Sequence, residues 1–254
     1  MFTNELKKKL KAGKTAFGVF NLINTPEVIE IMGLAGFDFV VIDGEHGPAG
    51  PLDSQDLIRA AEFRNMTPVV RATENARTTI LRFLDVGAHG IQIPQINSAE
   101  EASEAVQRAK YFPEGNRGIA LPRSADYGAV PPLDYFNHAN GETLVVAQCE
   151  SVRGLENVEE IARVPGVDVV FLGPFDMSQS MGIPGQLDHP RVEEAAQRIL
   201  KACKDNDKAA GIFVVDGENA RKRAKQGFQY ITINLESSLL YKAFRRELEE
   251  AYKD

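Results

Sequence analysis

The sequence predicts an α/β fold, a (β/α)8 TIM barrel with one extra N-terminal helix, as a single domain over residues 1–254. Apolar runs recur roughly every 25 to 30 residues, and each is followed by a segment of helical periodicity, as in βαβ units. Eight such units fit the 254 residues of the chain, a usual size for this barrel. A doubly wound sheet is disfavoured because no glycine-rich phosphate turn follows the first strand.

The first half of the chain is predicted to hold an opening helix and four strand–helix units. Capping residues mark the helix boundaries: Thr25 followed by Pro26 begins one helix, and Gly87 ends another. Ser98 and Glu101 form the pattern of a capping box at the start of a later helix. The predicted strands cover residues 16–22, 37–43, 68–71 and 90–96, and the predicted helices cover residues 4–12, 25–36, 52–64, 76–86 and 98–110.

The second half is predicted to hold the other four strands, at residues 144–150, 167–173, 211–215 and 230–234. Helical segments fill the gaps between these strands, including one at residues 154–164, and a last helix covers residues 239–252. Residues 111–142 are rich in Gly, Pro and Asn and are predicted to form one long irregular loop. Loops of this length in a compact domain often serve a function.

Composition and charge argue against several classes of protein. With 43% hydrophobic and 26% charged residues the chain is typical of a globular protein, and its net charge of −7 argues against a nucleic-acid partner. The basic run at residues 7–11 is expected to be a solvated helix face. No apolar run approaches the ~18 residues of a membrane span, and the first residues lack the apolar core of a signal peptide. Cys149 and Cys203 are too few for a disulfide framework, so we expect a cytoplasmic protein without a membrane partner.

Two carboxylates are predicted to lie side by side at the carboxyl-terminal ends of neighbouring strands. Glu150 ends the fifth predicted strand and Asp176 follows the sixth, with one helix between the strands. In a parallel barrel both positions lie on the face that carries the chemistry. Neither strand carries a Lys or Arg to neutralise these groups, and two bare carboxylates with room for water suit Mg²⁺ or Mn²⁺. A salt-bridged or helix-capping pair is the alternative.

Polar residues also end the other strands. Arg71 ends an apolar strand and is predicted to clamp a carboxylate or carbonyl group of a substrate; an ion pair with Asp43 or Glu74 is the alternative. His46 stands three residues after Asp43, a carboxylate suited to orienting it as a general base. The full set at these ends, besides the two carboxylates above, is Asp43, Glu45, His46, Arg71, Gln95, Gln148, Asp216, Asn234 and Glu236.

The direction of the side chains along the fifth strand and the lack of lysines at most strand ends restrict the chemistry that this site can perform. Gln148 shares the parity of Glu150, so both are expected to face the barrel interior, whereas Cys149 faces the helices. There is no lysine between Lys14 and Lys110 or between Lys110 and Lys201. No strand from the second to the sixth therefore ends in a lysine that could form a Schiff base with a carbonyl substrate. An enzyme that activates a carbonyl group here would need a metal ion as Lewis acid.

Five blocks of this sequence resemble the HpcH/HpaI-type class II pyruvate aldolases, and they stand in that family's order. The blocks are residues 37–48, 68–71, 87–94, 148–150 and 173–178, within a span of roughly residues 17–240. The resemblance implies a TIM barrel of the phosphoenolpyruvate/pyruvate superfamily. It also implies reversible cleavage of a 4-hydroxy-2-oxo acid to pyruvate and an aldehyde, through an enolate stabilised by a divalent metal ion (Mg²⁺, Mn²⁺ or Co²⁺) and an arginine.

The same resemblance implies roles for individual residues. By position, Glu150 and Asp176 match the metal ligands of that family, Arg71 matches the arginine on the pyruvate oxygens, and His46 with Asp43 matches its acid/base dyad. Gln148 matches a residue beside the pyruvyl group, and the backbone amides of Phe175 and Asp176 match a pair that binds the pyruvate carboxylate. Asp85 matches a carboxylate that is contributed across a subunit interface. A hexamer built as a trimer of dimers is also implied, with the C-terminal helix of each subunit packed on a neighbour.

The sequence departs from that family where the aldehyde would bind. Phe175 stands where a small residue is common, and Phe213 stands where an aliphatic side chain often shapes the aldehyde pocket. Asn234 and Glu236 replace the expected Gly and Asp. The sequence therefore does not identify the aldehyde. An oxaloacetate-type decarboxylase or a CoA-ester lyase on the same site is the alternative function, although a CoA lyase would need a basic groove. A barrel that only binds ligands would be expected to lack one of the metal carboxylates.

Overall fold

The computed structural model of the protein describes residues 2–253 and contains eight parallel strands that close into one barrel in chain order. The strands are β1 (Ala16–Asn21), β2 (Phe39–Asp43), β3 (Thr67–Arg71), β4 (Gly90–Ile93), β5 (Leu144–Cys149), β6 (Val169–Leu172), β7 (Ala209–Val214) and β8 (Tyr230–Leu235). Each strand pairs with the next, and β8 pairs with β1. The predicted (β/α)8 TIM barrel is confirmed.

Helices surround the barrel and separate successive strands. They are α1 (Glu5–Lys11), α2 (Pro26–Ala35), α3 (Pro51–Phe63), α4 (Arg77–Asp85), α5 (Ala99–Ala109), α6 (Pro132–Glu142), α7 (Val152–Glu156), α8 (Val158–Arg163), α9 (Pro174–Ser180), α10 (Pro190–Asp205), α11 (Gly217–Gln226) and α12 (Glu236–Ala251). None of the helices within residues 2–253 combines the length and apolar character that crossing a membrane requires.

The strands bury both of their faces, which explains their continuously apolar sequences. One apolar cluster fills the space between strands and helices and includes Cys149, which faces outward as its parity predicts. A second cluster fills the barrel interior with large side chains, among them Phe39, Phe171 and Tyr230. The extra helix α1 adds Leu6 to that interior cluster, so it closes the amino-terminal end of the barrel and leaves the opposite end open.

The basic run of α1 is not wholly solvated, and that expectation is wrong for Lys7. This side chain is buried, its Nζ donates to the carbonyl oxygen of Thr143 at 2.9 Å, and it lies 3.1 Å from the Asp168 carboxylate. Lys110 donates to the same carbonyl oxygen, and burial lowers the pKa of its amine to about 7. Lys7 thus joins α1, and Lys110 joins the end of α5, to the residue before β5 at the closed end of the barrel.

The structure corrects the prediction for residues 111–142, because the end of this segment is helix α6 and not irregular loop. Pro132 occupies the first turn of α6, and Tyr135 and Ala139 are buried, with Tyr135 stacked edge-on against Tyr111 at 5.8 Å between ring centroids. Further along the chain, the single helix predicted at 154–164 is broken into α7 and α8 at Asn157.

Candidate active site

A cavity of about 210 Å³ opens at the carboxyl-terminal ends of the strands. This is the end at which TIM barrels carry their chemistry. The cavity brings together side chains from all parts of the chain, polar ones on one side and aromatic ones on the other. Its lining residues are Phe20, His46, Arg71, Gln148, Phe171, Gly173, Pro174, Phe175, Asp176, Phe213 and Leu235.

Arg71 is the cation at the centre of the polar side. Its side chain is 8% exposed, and its Nε and Nη2 donate to the two oxygens of Asp43 at 2.9 and 2.6 Å. Nη1 lies 3.0 Å from a Glu45 oxygen, and the guanidinium carbon sits 4.8 Å from the ring centroid of Phe20. A guanidinium has five N–H donors, so this bidentate pair leaves donors for an oxygen in the cavity. Arg71 therefore forms the predicted ion pair with Asp43 and still keeps N–H donors for a substrate oxygen.

Asp43 does not orient the His46 ring in this structure, contrary to the dyad expected from the sequence. Across residues 2–253, the hydrogen bonds of the Asp43 carboxylate go to Arg71 and to the backbone N–H groups of Glu45 and His46, at 3.0 and 3.2 Å for the two amides. The physical reason is that the buried guanidinium takes both oxygens. The His46 side chain is exposed and reaches the cavity, so Asp43 holds its loop but leaves its ring free.

Glu150 follows β5 directly. Apart from Asp43, it is the most deeply buried carboxylate at the open end of the barrel. One of its oxygens accepts from the backbone N–H of Gln95 at 2.9 Å, and the other accepts from the Gln148 amide. Burial, with a smaller contribution from the charges of Asp176 and Glu45, raises the pKa of Glu150 to about 7. Burial also raises the pKa of Glu45. The protein has thus placed several carboxylates close together with one arginine to balance them.

Asp176 follows β6, as the sequence predicted, and lies in the first turn of α9. The register of β5 and β6 pairs Cys149 with Leu172, so Gly173 is the residue beside Glu150. A side chain at Gly173 would collide with the Glu150 carboxylate, since a Cβ there would lie 2.6 Å from its oxygen. Gly173 therefore lets α9 begin close to Glu150, and Asp176 lines the cavity from this helix.

This donor set fits a hard divalent cation. Within residues 2–253 no cluster of three or more His, Cys, Asp or Glu side chains is arranged to hold a metal ion. Mg²⁺, however, is commonly held by one or two carboxylates, with waters and substrate oxygens completing its shell. Glu150 and Asp176 supply that number, and a cation would offset the burial and the nearby Asp176 charge that raise the pKa of Glu150.

A chain of buried amides behind the site was missed by the sequence reasoning. Gln148 accepts a hydrogen bond from Gln92 at 2.5 Å, and Gln92 in turn accepts from the hydroxyl of Tyr230 at 3.1 Å. Both glutamines are buried. This chain fixes the Gln148 amide so that it donates to Glu150. The signal that could have revealed it is one amide inside the otherwise apolar strand β4.

Several predicted strand-end residues lie outside the cavity. Asp216 caps α11 by accepting from the backbone N–H of Asn219 at 2.8 Å. Glu236 is buried and accepts from the backbone N–H groups of Leu22 and Ile23, which joins the end of β1 to α12. The amide of Asn234 donates to a backbone carbonyl after β7. These three polar side chains stabilise the loops and do not line the cavity.

Asp85 is not brought to the cavity of its own chain. It ends α4, a helix that runs back from the barrel mouth, and its carboxylate accepts from the buried guanidinium of Arg117 at 2.6 Å. Any contribution of Asp85 to catalysis would have to come from a neighbouring copy of the chain.

Comparison with known proteins assigns the chain to one family. Residues 16–243 match the family of HpcH/HpaI aldolase and citrate lyase proteins. The chain belongs to this family. A hydroxypyruvate/pyruvate aldolase of Paraburkholderia phytofirmans is 37% identical over 98% of both chains. A 5-keto-4-deoxy-D-glucarate aldolase of Enterobacter sp. is 33% identical over all of this chain and 98% of that protein.

Solved structures agree with the sequence matches. An HpcH/HpaI aldolase/citrate lyase family protein from Burkholderia cenocepacia superposes with a TM-score of 0.94 and 35% identity, over 99% of this chain and all of that one. As a member of this HpcH/HpaI family, the protein is an enzyme of the carbon–carbon lyase class. The polar side of the cavity is where its chemistry is expected.

The Asp43–Arg71 pair provides a first test of the site. In Asp43→Asn, the guanidinium loses its bidentate anionic partner and shifts, and a misplacement of about 1 Å costs roughly 100-fold in rate. We expect kcat/KM for aldol cleavage to fall by about this factor, measured alongside thermal unfolding. Glu159→Gln, which removes an exposed pair with Arg198, is the matched control and should keep wild-type activity. Wild-type kcat/KM in Asp43→Asn would show that Arg71 does not depend on this carboxylate.

Proposed function

We propose that the protein is a divalent-metal-dependent aldolase that reversibly cleaves a 4-hydroxy-2-oxo acid to pyruvate and an aldehyde. The observation that carries this proposal is a cavity lined by Arg71 and Asp176 but by no lysine, with Glu150 buried against Gln148 and Gly173 of its lining. A carbonyl substrate here has no amine with which to form a Schiff base. The two aldolases among the relatives support the same reaction type.

Glu150 and Asp176 would hold the cation in this proposal. When bound, the cation acts as a Lewis acid toward the 2-oxo group of the substrate. The Gln148 amide, fixed by Gln92, donates to the Glu150 carboxylate and holds it in place beside the cavity. The backbone N–H groups of Phe175 and Asp176 lie in the first turn of α9, where they have no partner within the helix, and would receive the substrate carboxylate.

Arg71 would stabilise the charge that develops during cleavage. As the C3–C4 bond breaks, its electron pair moves into the pyruvate part and places negative charge on the C2 oxygen. The unused N–H donors of the guanidinium suit that oxygen, and their burial strengthens the interaction. Asp43 and Glu45 hold the guanidinium in place before the reaction starts, so little reorganisation is needed when the charge appears.

His46 would act as the general base. Its exposed side chain lies at the rim of the cavity, where the 4-hydroxyl group of a bound substrate would reach it. The ring takes the hydroxyl proton as the aldehyde forms, and a proton returns to C3 of the enolate to give pyruvate. A histidine suits this role because its ordinary pKa lies near neutrality.

Metal dependence tests the proposal directly. EDTA should abolish release of pyruvate from 4-hydroxy-2-oxo acids, Mg²⁺, Mn²⁺ or Co²⁺ should restore it, and borohydride with pyruvate should not inactivate the enzyme. Glu150→Gln and Asp176→Asn should each weaken Mn²⁺ binding at least about tenfold, read by electron paramagnetic resonance. Asp216→Asn, which changes a strand-end carboxylate that caps α11, is the matched control. A covalent adduct trapped by borohydride would disprove the proposal.

A decarboxylase acting on oxaloacetate is the alternative, and His46 separates the two functions. Decarboxylation needs the same enolate but no base for a hydroxyl group. His46→Ala should therefore lower aldol cleavage by about 10²–10⁴-fold and change oxaloacetate decarboxylation by only a few-fold. His189→Ala, at the start of α10, is the control and should affect neither rate. Equal losses of both rates would show that His46 is not the base.

We also propose that the protein assembles as a hexamer, a trimer of dimers, in which Asp85 reaches the site of a neighbour. The support is α12, which exposes an apolar stripe at helical spacing made of Tyr241, Phe244, Leu248 and Tyr252, with Phe244 70% exposed. A continuous apolar stripe of this kind marks an interaction surface.

Light scattering after size exclusion measures this assembly. The wild-type protein should have about six times the 27.9 kDa mass of one chain, and Phe244→Glu should give smaller species because it places a charge in the stripe. Arg246→Glu, on the same helix outside the stripe, is the matched control. A wild-type protein that is monomeric at micromolar concentration would contradict the assembly.

A further inference from the structure

We propose that the aldehyde bound by this enzyme carries an uncharged apolar or aromatic substituent, and that Phe175 and Phe213 determine this specificity. The inference rests on the proposed aldolase function and names the class of its second substrate. It arises from a feature that the pyruvate chemistry does not use, the aromatic side of the cavity.

That side is a continuous wall of rings. Phe213 lies between Phe175, at 5.8 Å and 67° between ring planes, and Phe20, at 6.1 Å and 51°. Phe20 in turn contacts Phe171 edge-on at 6.1 Å. Such offset and edge-on arrangements are the favourable ones for aromatic pairs. Leu235 adds an aliphatic side chain, so the side chains of the wall offer no hydrogen-bond donor to a substrate.

The depth of the rings differs along the wall. Phe20 and Phe171 are buried at its base and belong to the barrel interior, whereas Phe175 is 49% exposed at the mouth. An aromatic side chain left half in water beside a substrate cavity loses that exposed surface when an apolar group binds against it. A hydroxylated or charged group would instead give up its water and find no polar partner on this wall.

Charge in the mouth favours the same class of aldehyde. The cavity lining contains one arginine, one histidine and no lysine. Arg71 is already paired with Asp43 and Glu45 and would serve the pyruvate oxygens. A second carboxylate on the aldehyde would therefore lack a free cation and would be repelled by the acidic side chains around it. An apolar substituent has no such cost.

The available space favours a small substituent. The cavity measures about 210 Å³, and the pyruvate part of the substrate shares it. A long or branched sugar chain would have to leave the wall for solvent. The wall thus selects by polarity and sets an approximate upper limit on size.

The experiment compares pentanal with succinic semialdehyde, aldehydes of similar length that differ mainly in a carboxylate. The Mn²⁺-loaded enzyme adds pyruvate to each, and kcat/KM is measured for both. We expect pentanal to be preferred at least about tenfold, and Phe213→Ala and Phe175→Ala to reduce that ratio by about tenfold each. Phe175→Arg should move the preference toward succinic semialdehyde. Phe63→Ala, at a remote exposed ring of α3, is the matched control and should keep the wild-type ratio.

A separate measurement distinguishes failure of this inference from failure of the proposed function. Exchange of the methyl hydrogens of pyruvate with D₂O, followed by NMR, needs the enolate chemistry but no aldehyde. If exchange occurs and the wild-type enzyme prefers succinic semialdehyde, the specificity inference is overturned and the aldolase function stands. If the metal-loaded enzyme neither exchanges pyruvate hydrogens nor adds pyruvate to any aldehyde, the proposed function fails and this inference fails with it.

Discussion

The ion pair between Asp43 and Arg71 is the interaction on which the open end of the barrel depends. A guanidinium that is 8% exposed at the end of an apolar strand must be paired, because breaking a buried ion pair costs about 3–5 kcal/mol. Both Asp43 oxygens are used, and the same carboxylate accepts from two backbone amides of the following loop. The position of His46 is therefore set indirectly by the arginine.

Acidic side chains are in excess among the remaining charged groups at the open end of the barrel, and this excess indicates a role in binding or catalysis. Glu45 and Glu150 are partly or deeply buried and have raised pKa values, and Asp176 adds to the repulsion. Natural proteins keep such repulsion mainly where it serves binding or catalysis. Hydrogen bonds from Gln95 and Gln148 hold Glu150 in place despite its burial. The site is thus formed before its ligands bind, and the stability of the surrounding barrel offsets the free energy that this repulsion costs.

Much of the fold could be predicted because strands buried on both faces give long apolar runs, and helix starts give capping residues. The helix at Pro132–Glu142 was missed because Gly and Asn weaken its pattern, while contacts from Tyr135 stabilise it. Ser98 does cap its helix, but Glu101 reaches back to the amide of Asn97 and not to that of Ser98.

For the site, strand ends revealed the ionisable groups but not their partners. Spacing placed Asp43 near both Arg71 and His46, and only the packed structure shows that the arginine takes the carboxylate while His46 is held through its backbone. Gln92 is uncharged and lies inside a strand, so neither a pattern of charges nor a position at a strand end marks it in the sequence. Its role depends on Tyr230, which is distant in sequence.

The aromatic wall and the polar groups also divide the barrel into two contiguous arcs. Arg71, Gln92 and Gln148 extend from β3 to β5, with Asp43 on β2, whereas the rings and Leu235 come from β6, α9, β7, β8 and β1. The two arcs are nevertheless joined, because the hydroxyl of Tyr230 on β8 donates to Gln92 on β4. A substitution of Tyr230 in the aromatic arc would therefore remove a hydrogen bond from the amide chain that holds Gln148 and, through it, Glu150 in the polar arc.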